Sequence, residues 1–175
     1  MEAEVKQWLK KIEELKKGDL DLSRDEDLSI ALMNLISLEE HFYFTAMKTD
    51  NQKYLEMLNS VRETRKNLLK RIVISPEGEE WCISKHLLAA SMRLIEVGTK
   101  ELSKGNTSDA NVFFKSGFEL YSLFFAINLK LIDNGKADKV NIEKIEENKA
   151  DNKHANGMMS RVSAIIKRVV DCCRE

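Results

Sequence analysis

Helix breakers are nearly missing from this chain. One proline and seven glycines serve 175 residues, and Leu, Lys and Glu dominate the rest. All three are good helix formers. A sequence so poor in Pro and Gly has few places to turn. It therefore reads as all-α. The charges are 28 basic and 29 acidic, a formal net charge of -1. With 33% charged and 43% hydrophobic residues, the composition is that of a folded domain rather than a disordered one. Its length gives one domain over 1–175 as the default.

Several function classes lose ground at once. A near-neutral chain has no whole-molecule attraction to nucleic acid. No apolar run reaches the ~20 residues of a membrane span, and the opening MEAEVKQWLKK has no apolar segment of the secretory kind. Cys82, Cys172 and Cys173 form no C-x-x-C pair, so a structural zinc site is not expected. Free thiols and no secretion signal point to a reducing, cytoplasmic setting.

Hydrophobic periodicity predicts helices over about 2–17, 23–47, 51–73, 79–104, 108–133 and 158–173. This is a bundle of five to six helices, antiparallel and up-and-down in its middle portion. Ser23 with Glu26 reads as a capping box, and so does Thr49 with Gln52. Leu28, Leu32, Leu35, Phe42 and Ala46 form the expected inner stripe of the second helix. Ser75-Pro76-Glu77-Gly78 is the clearest turn. Residues 134–156 turn polar and read as a mobile linker before the last helix.

Small residues recur on the two central helices. Ser84, Ser91 and Gly98 stand seven apart, and Ala110 and Gly117 follow across the Gly105-Asn106 turn. Small positions at 98, 110 and 117 let two helices cross closely, with Phe114 filling the space beside them. The segment LIEVGTKELSKGNTSDANVFFKSGFEL, residues 94–120, resembles one tetratricopeptide-type helix hairpin. Ser122 stands where that motif closes with proline, and Glu101 where it carries an aromatic. The resemblance implies peptide or protein binding in a groove beside Gly98, Ala110 and Gly117. The same helix, Gly-Asn-x-x-Asp-Ala turn and aromatic helix are also similar to HEPN-type bundles, which act on RNA or nucleotides. That family's R-x(4–6)-H motif is missing here, since His41, His86 and His154 have no arginine at the required spacing.

Three constellations could carry chemistry. Glu39 and Arg65 each interrupt an apolar stripe on helices expected to be antiparallel neighbours. Counting back from the loop near residue 49 puts Glu39 within one turn of Arg62 or Arg65. That is a register-fixing ion pair, or a polar pocket with His86 or His41 at its edge. Arg62, Lys66 and Lys70 share one helix face and form a modest candidate phosphate-contact stripe. Glu39, Glu40, Glu80, Glu96 and Glu119 could face inward, but no Glu-x-x-His occurs, so the di-iron pattern of helical bundles is incomplete. No phosphate-cradling glycine loop is present. No catalytic residue, metal site or cofactor is expected. The leading expectation is a small non-enzymatic interaction or scaffold protein. Its partner is another protein or, where apolar stripes exceed what one core buries, a second copy. Association with RNA or nucleotides, and a small-ligand or metal pocket, are the alternatives.

Overall fold

A computed structural model describes residues 22–131, together with Ser163 and Ile166. The expected helices 2–17 and 158–173 and the linker 134–156 lie outside the described residues, apart from Ser163 and Ile166, which are helical. The described residues hold four helices and no strand: α1 (Ser23–Thr49), α2 (Gln52–Leu69), α3 (Glu80–Ser103) and α4 (Thr107–Asn128).

The boundaries follow local chemistry. Asp25 and Glu26 sit in the first turn of α1 and Lys48 in its last, each favourable to the helix dipole. Asp50, at φ 50°, stops α1 in the left-handed region. The expected Thr49 box does not form the start of α2. Thr49 still belongs to α1, its hydroxyl donating to the Thr45 carbonyl at 2.7 Å. Asn51 caps α2 instead, its side chain accepting from the Lys53 amide at 3.0 Å. α2 ends at Leu69, four residues short of the expected boundary, and a tight turn carries Ile72 and Val73 into the core. α4 also ends early. The Leu131 amide donates to the Ala126 carbonyl and the Lys130 amide to that of Ile127. Lys130, at φ 52°, takes the left-handed position of this Schellman closure that glycine usually fills.

Consecutive helices pair as hairpins. Glu39 bonds Arg65 while Phe42 stacks near Tyr54, so contacts descend α2 as they ascend α1. Along α3 and α4, Ser84 meets Asn128, Ser91 meets Gly117 and Gly98 meets Phe114. This second pair is the more intimate, because its small residues let the backbones approach. A Cβ added at Gly98 would lie 2.7 Å from the Phe114 ring. The Ser91 hydroxyl donates to the Gly117 carbonyl at 2.8 Å.

The core occupies one end of the molecule. Leu22, Leu32 and Met33 from the start of α1 meet Leu69, Ile72 and Val73 from the end of α2. Leu88 joins from the first half of α3, and Phe124, Phe125 and Leu131 from the end of α4. Ile166 is buried in the same cluster. Phe124 packs edge-on against Phe125, and Phe125 against Tyr121, both with ring centroids 5.2 Å apart. The Tyr121 hydroxyl reaches the Ser29 hydroxyl at 2.7 Å and ties α4 to α1. Of the expected α1 stripe, Leu32 and Ala46 are buried, while Leu28, Leu35 and Phe42 are half-buried. The core instead draws on Ser29 and Met33, because α1 must face α4 as well as α2.

At the opposite end, where α1 and α3 finish, the buried residues are small: Ala46, Gly98 and Ala110. Large apolar side chains there stay exposed, among them Tyr43 (48%), Phe44 (51%), Met47 (58%) and Leu102 (50%).

The turn joining α3 to α4 hangs on Glu101. Its carboxylate accepts from the Asn106 side-chain amide at 2.6 Å and from the Lys104 ammonium at 2.8 Å. The Asn106 hydrogen bond, then Lys104, holds this carboxyl below its ordinary value of 4.5. A depressed pKa contributes stability that is present above 4.5 and lost as pH falls through the lower folded value. Amide exchange at residues 104–107 is therefore expected to accelerate, relative to the intrinsic rate, as pH falls through the lowered folded value. In Glu101→Gln it should be fast already at neutral pH. Equal protection in the two proteins would remove the carboxylate from the account.

Candidate functional site

The two hairpins leave an open groove between the middle of α1 and the middle of α3. Its volume is about 510 Å3. Asn34, Ser37, Leu38, His41 and Phe44 line it from α1, and Arg93 and Glu96 from α3. The helix period places 34, 37, 38, 41 and 44 on adjoining strips of α1.

Arg93 is the electrostatic centre of this groove. Its Nε donates to the Glu40 carboxylate at 2.9 Å, and its two terminal nitrogens reach Glu40 and Glu96. Partial burial works against the guanidinium's charge, but Glu40 and then Glu96 outweigh it and raise its pKa. The cluster joins α1 to α3 and gives the groove one cation between two carboxylates. Leu38 and Phe44, both exposed, supply apolar surface beside it. The arrangement can bind an apolar side chain and orient polar groups along one edge. It has no activated nucleophile.

Glu39 and Arg65 meet in a different place. Arg65 Nε donates to Glu39 Oε1 at 2.7 Å and its NH2 group to Oε2 at 3.0 Å, a bidentate pair between α1 and α2. Arg65 is 4% exposed. The pair is closed on itself and lines no part of the groove. His86 stands exposed on α3 and bonds to neither residue. His41, which the sequence placed at the edge of a polar pocket, lines the groove instead.

The other carboxylates that could have faced a metal each face a cation. Glu40 and Glu96 hold Arg93, Glu80 accepts from Lys130 at 2.6 Å, and Glu119 lies 4.0 Å from Lys115. Glu80 also accepts from the Glu77 amide at 2.9 Å, closing the turn before α3. No three His, Cys, Asp or Glu residues converge among the described residues. Cys82 is exposed on α3. Helical spacing from Ser84 turns it away from the α4 face.

On α2, Arg62 and Lys70 are exposed, and Lys66 is paired with Glu63 at 2.9 Å. The Lys66 hydrogen bond, with Arg62 and Lys70 near by, holds the Glu63 carboxyl below its ordinary value. The stripe is thus a positive strip on one helix, partly neutralised from within.

The small positions are filled from inside the chain. Phe114 covers Gly98, the Ser91 carbonyl and Leu94 lie against Gly117, and Ala110 is buried. The partner groove expected beside Gly98, Ala110 and Gly117 is therefore the seam between α3 and α4. The open groove was missed because its residues mix polar and apolar types at helical spacing. Its one legible signal was the apolar pair Leu38 and Phe44 lying off the inner stripe. Among the described residues, no helix is long and apolar enough to cross a membrane. Set against family models, curated proteins and solved structures, the chain matches none of them.

Proposed function

We propose that this protein is a non-enzymatic helical interaction module whose partner surface is the groove between α1 and α3. The observation that carries the reading is exposed apolar surface at Leu38 and Phe44 beside the Glu40–Arg93–Glu96 cluster. Apolar anchors with a polar edge suit an amphipathic helix laid into a groove. The tetratricopeptide-like character of 94–120 agrees with protein binding, although the surface proposed is not the one that resemblance implies. In this reading, segments 2–17 and 158–173 complete an up-and-down bundle of five to six helices in a reducing, cytoplasmic setting. The α2 stripe at Arg62, Lys66 and Lys70 ranks below the groove, because a single partly neutralised helix face offers few phosphate contacts.

The test is affinity capture with the full chain, wild type against Phe44→Glu. A partner retained by the wild type should fall at least tenfold with the variant. The melting curve should hardly move, since exposed substitutions cost about 0.5 kcal/mol or less. Equal retention of every captured protein by both chains would sink the groove as the partner surface.

A further inference from the structure

Residues 2–17 carry an apolar stripe of Val5, Trp8, Leu9, Ile12 and Leu15. A helix of that length is marginal in water unless its apolar face is buried. The segment enters the described fold at Leu22, which is buried in the core cluster at the start of α1. Between them lie only residues 18–21, a connection of the length that joins antiparallel helices. The other segments outside the four helices are less suited to the groove. Residues 134–156 are polar, and 158–173 have Ile166 buried in the core cluster.

The groove lies within reach of this segment and in the right direction. α1 and α3 run parallel, since Leu32 and Leu88 share the core cluster near their starts and Glu40 meets Arg93 further along both. A helix folding back from Leu22 is antiparallel to both, the arrangement that short connections favour. At about 1.5 Å per residue, residues 2–17 make a helix of about 24 Å, which equals the distance along α1 from Leu22 to Leu38. On that stretch Ile30 and Leu38 are exposed apolar side chains, with Asn34 exposed between them. The three stand four apart and share one helix face. Asn34 and Leu38 already line the groove. Held by so short a connection, the segment competes at an effective concentration of about millimolar, ahead of a second copy or any dilute partner.

We infer that residues 2–17 fold back onto the α1 face at Ile30, Asn34 and Leu38 and occupy the near half of the groove, short of Phe44. The inference rests on the groove reading above and adds regulation to it. A partner that fills the groove must first displace the chain's own segment from Leu38. Its apparent affinity is weakened in proportion to the fraction of chains in which the groove stands open.

The initial rate of trypsin cleavage after Lys10 and Lys11 in the full chain, read by mass, tests the docking. Cleavage there follows the population in which the segment is undocked. The double variant Ile30→Glu/Leu38→Glu should speed it at least tenfold. Ile74→Glu, exposed in the turn before α3, is the control and should leave the rate unchanged. A cooperative melt in each variant shows that the core is intact. Equal rates in the wild type and the double variant overturn the inference. Trp8→Glu, which undocks the segment from its own side, should raise capture of a groove partner at least tenfold. If cleavage ignores Ile30 and Leu38 while Phe44→Glu still loses a captured partner, the groove reading survives and the docking alone falls. If cleavage responds and Phe44→Glu loses no partner, the docking stands and the groove reading falls.

Discussion

Replacing Glu39 with alanine should destabilise the fold by about 3–5 kcal/mol, because it leaves the Arg65 guanidinium buried without its carboxylate. The two side chains are 16% and 5% exposed, and both hydrogen bonds of the bidentate pair are in place. Against a total stability of about 5–15 kcal/mol, the loss approaches unfolding. Arg65→Glu should be worse, since it sets two carboxylates against each other. The double replacement Glu39→Leu/Arg65→Met should recover most of the loss, because an apolar pair of similar volume removes the desolvation problem altogether. Denaturant midpoints of the wild type, Glu39→Leu, Arg65→Met and the double variant form the cycle that measures this. An unchanged midpoint in Glu39→Ala would mean that the pair carries no folding energy and leave it free for a functional role.

Phe124→Ala should cost a similar amount, about 3–5 kcal/mol, by a different mechanism. Phe124 is fully buried in the core cluster and packs edge-on against Phe125, which in turn packs against Tyr121. Truncation removes the ring's transfer energy and leaves a cavity whose walls are held by helices. At about 2–4 °C per kcal/mol for a chain of this size, the melting temperature should fall by roughly 10 °C. Phe44→Ala offers the contrast, since Phe44 is 51% exposed at the far end. In a monomeric sample it should change the melt by about 0.5 kcal/mol or less. Similar losses in both variants would show that the far end is as well packed as the core end, and would contradict the division between them.

Local chemistry made much of this fold legible. Sparse Pro and Gly, with apolar residues at threes and fours, are enough to specify helices, because intrinsic propensity and burial of one face agree. The turn at Ser75-Pro76-Glu77-Gly78 is equally local. Ser75 and Gly78 take positive φ there, as a tight reversal requires. The spacing of Ser84, Ser91 and Gly98 identified the face that α4 meets. A short loop and a count of turns put Glu39 near Arg62 or Arg65, and the structure pairs it with Arg65.

Other features needed contacts that no local pattern contains. Helix ends at Leu69 and Asn128 depend on where Val73 and Leu131 find a core to enter. Arg93 reads as an ordinary surface arginine until α1 brings Glu40 to it. The groove takes one wall from α1 and the other from α3, so neither helix carries it alone.

What the sequence determined by itself is therefore the helical class, the pairing of neighbouring helices and the close seam at Gly98 and Gly117. These depend on residues within a few turns of one another, where spacing alone sets the geometry. The tertiary structure alone decided which end holds the core, where Arg93 sits and which apolar residues remain outside. Those depend on how two hairpins cross. That crossing is set by the combined shape of Phe124, Leu88, Leu32 and Leu69, and no single helix carries it.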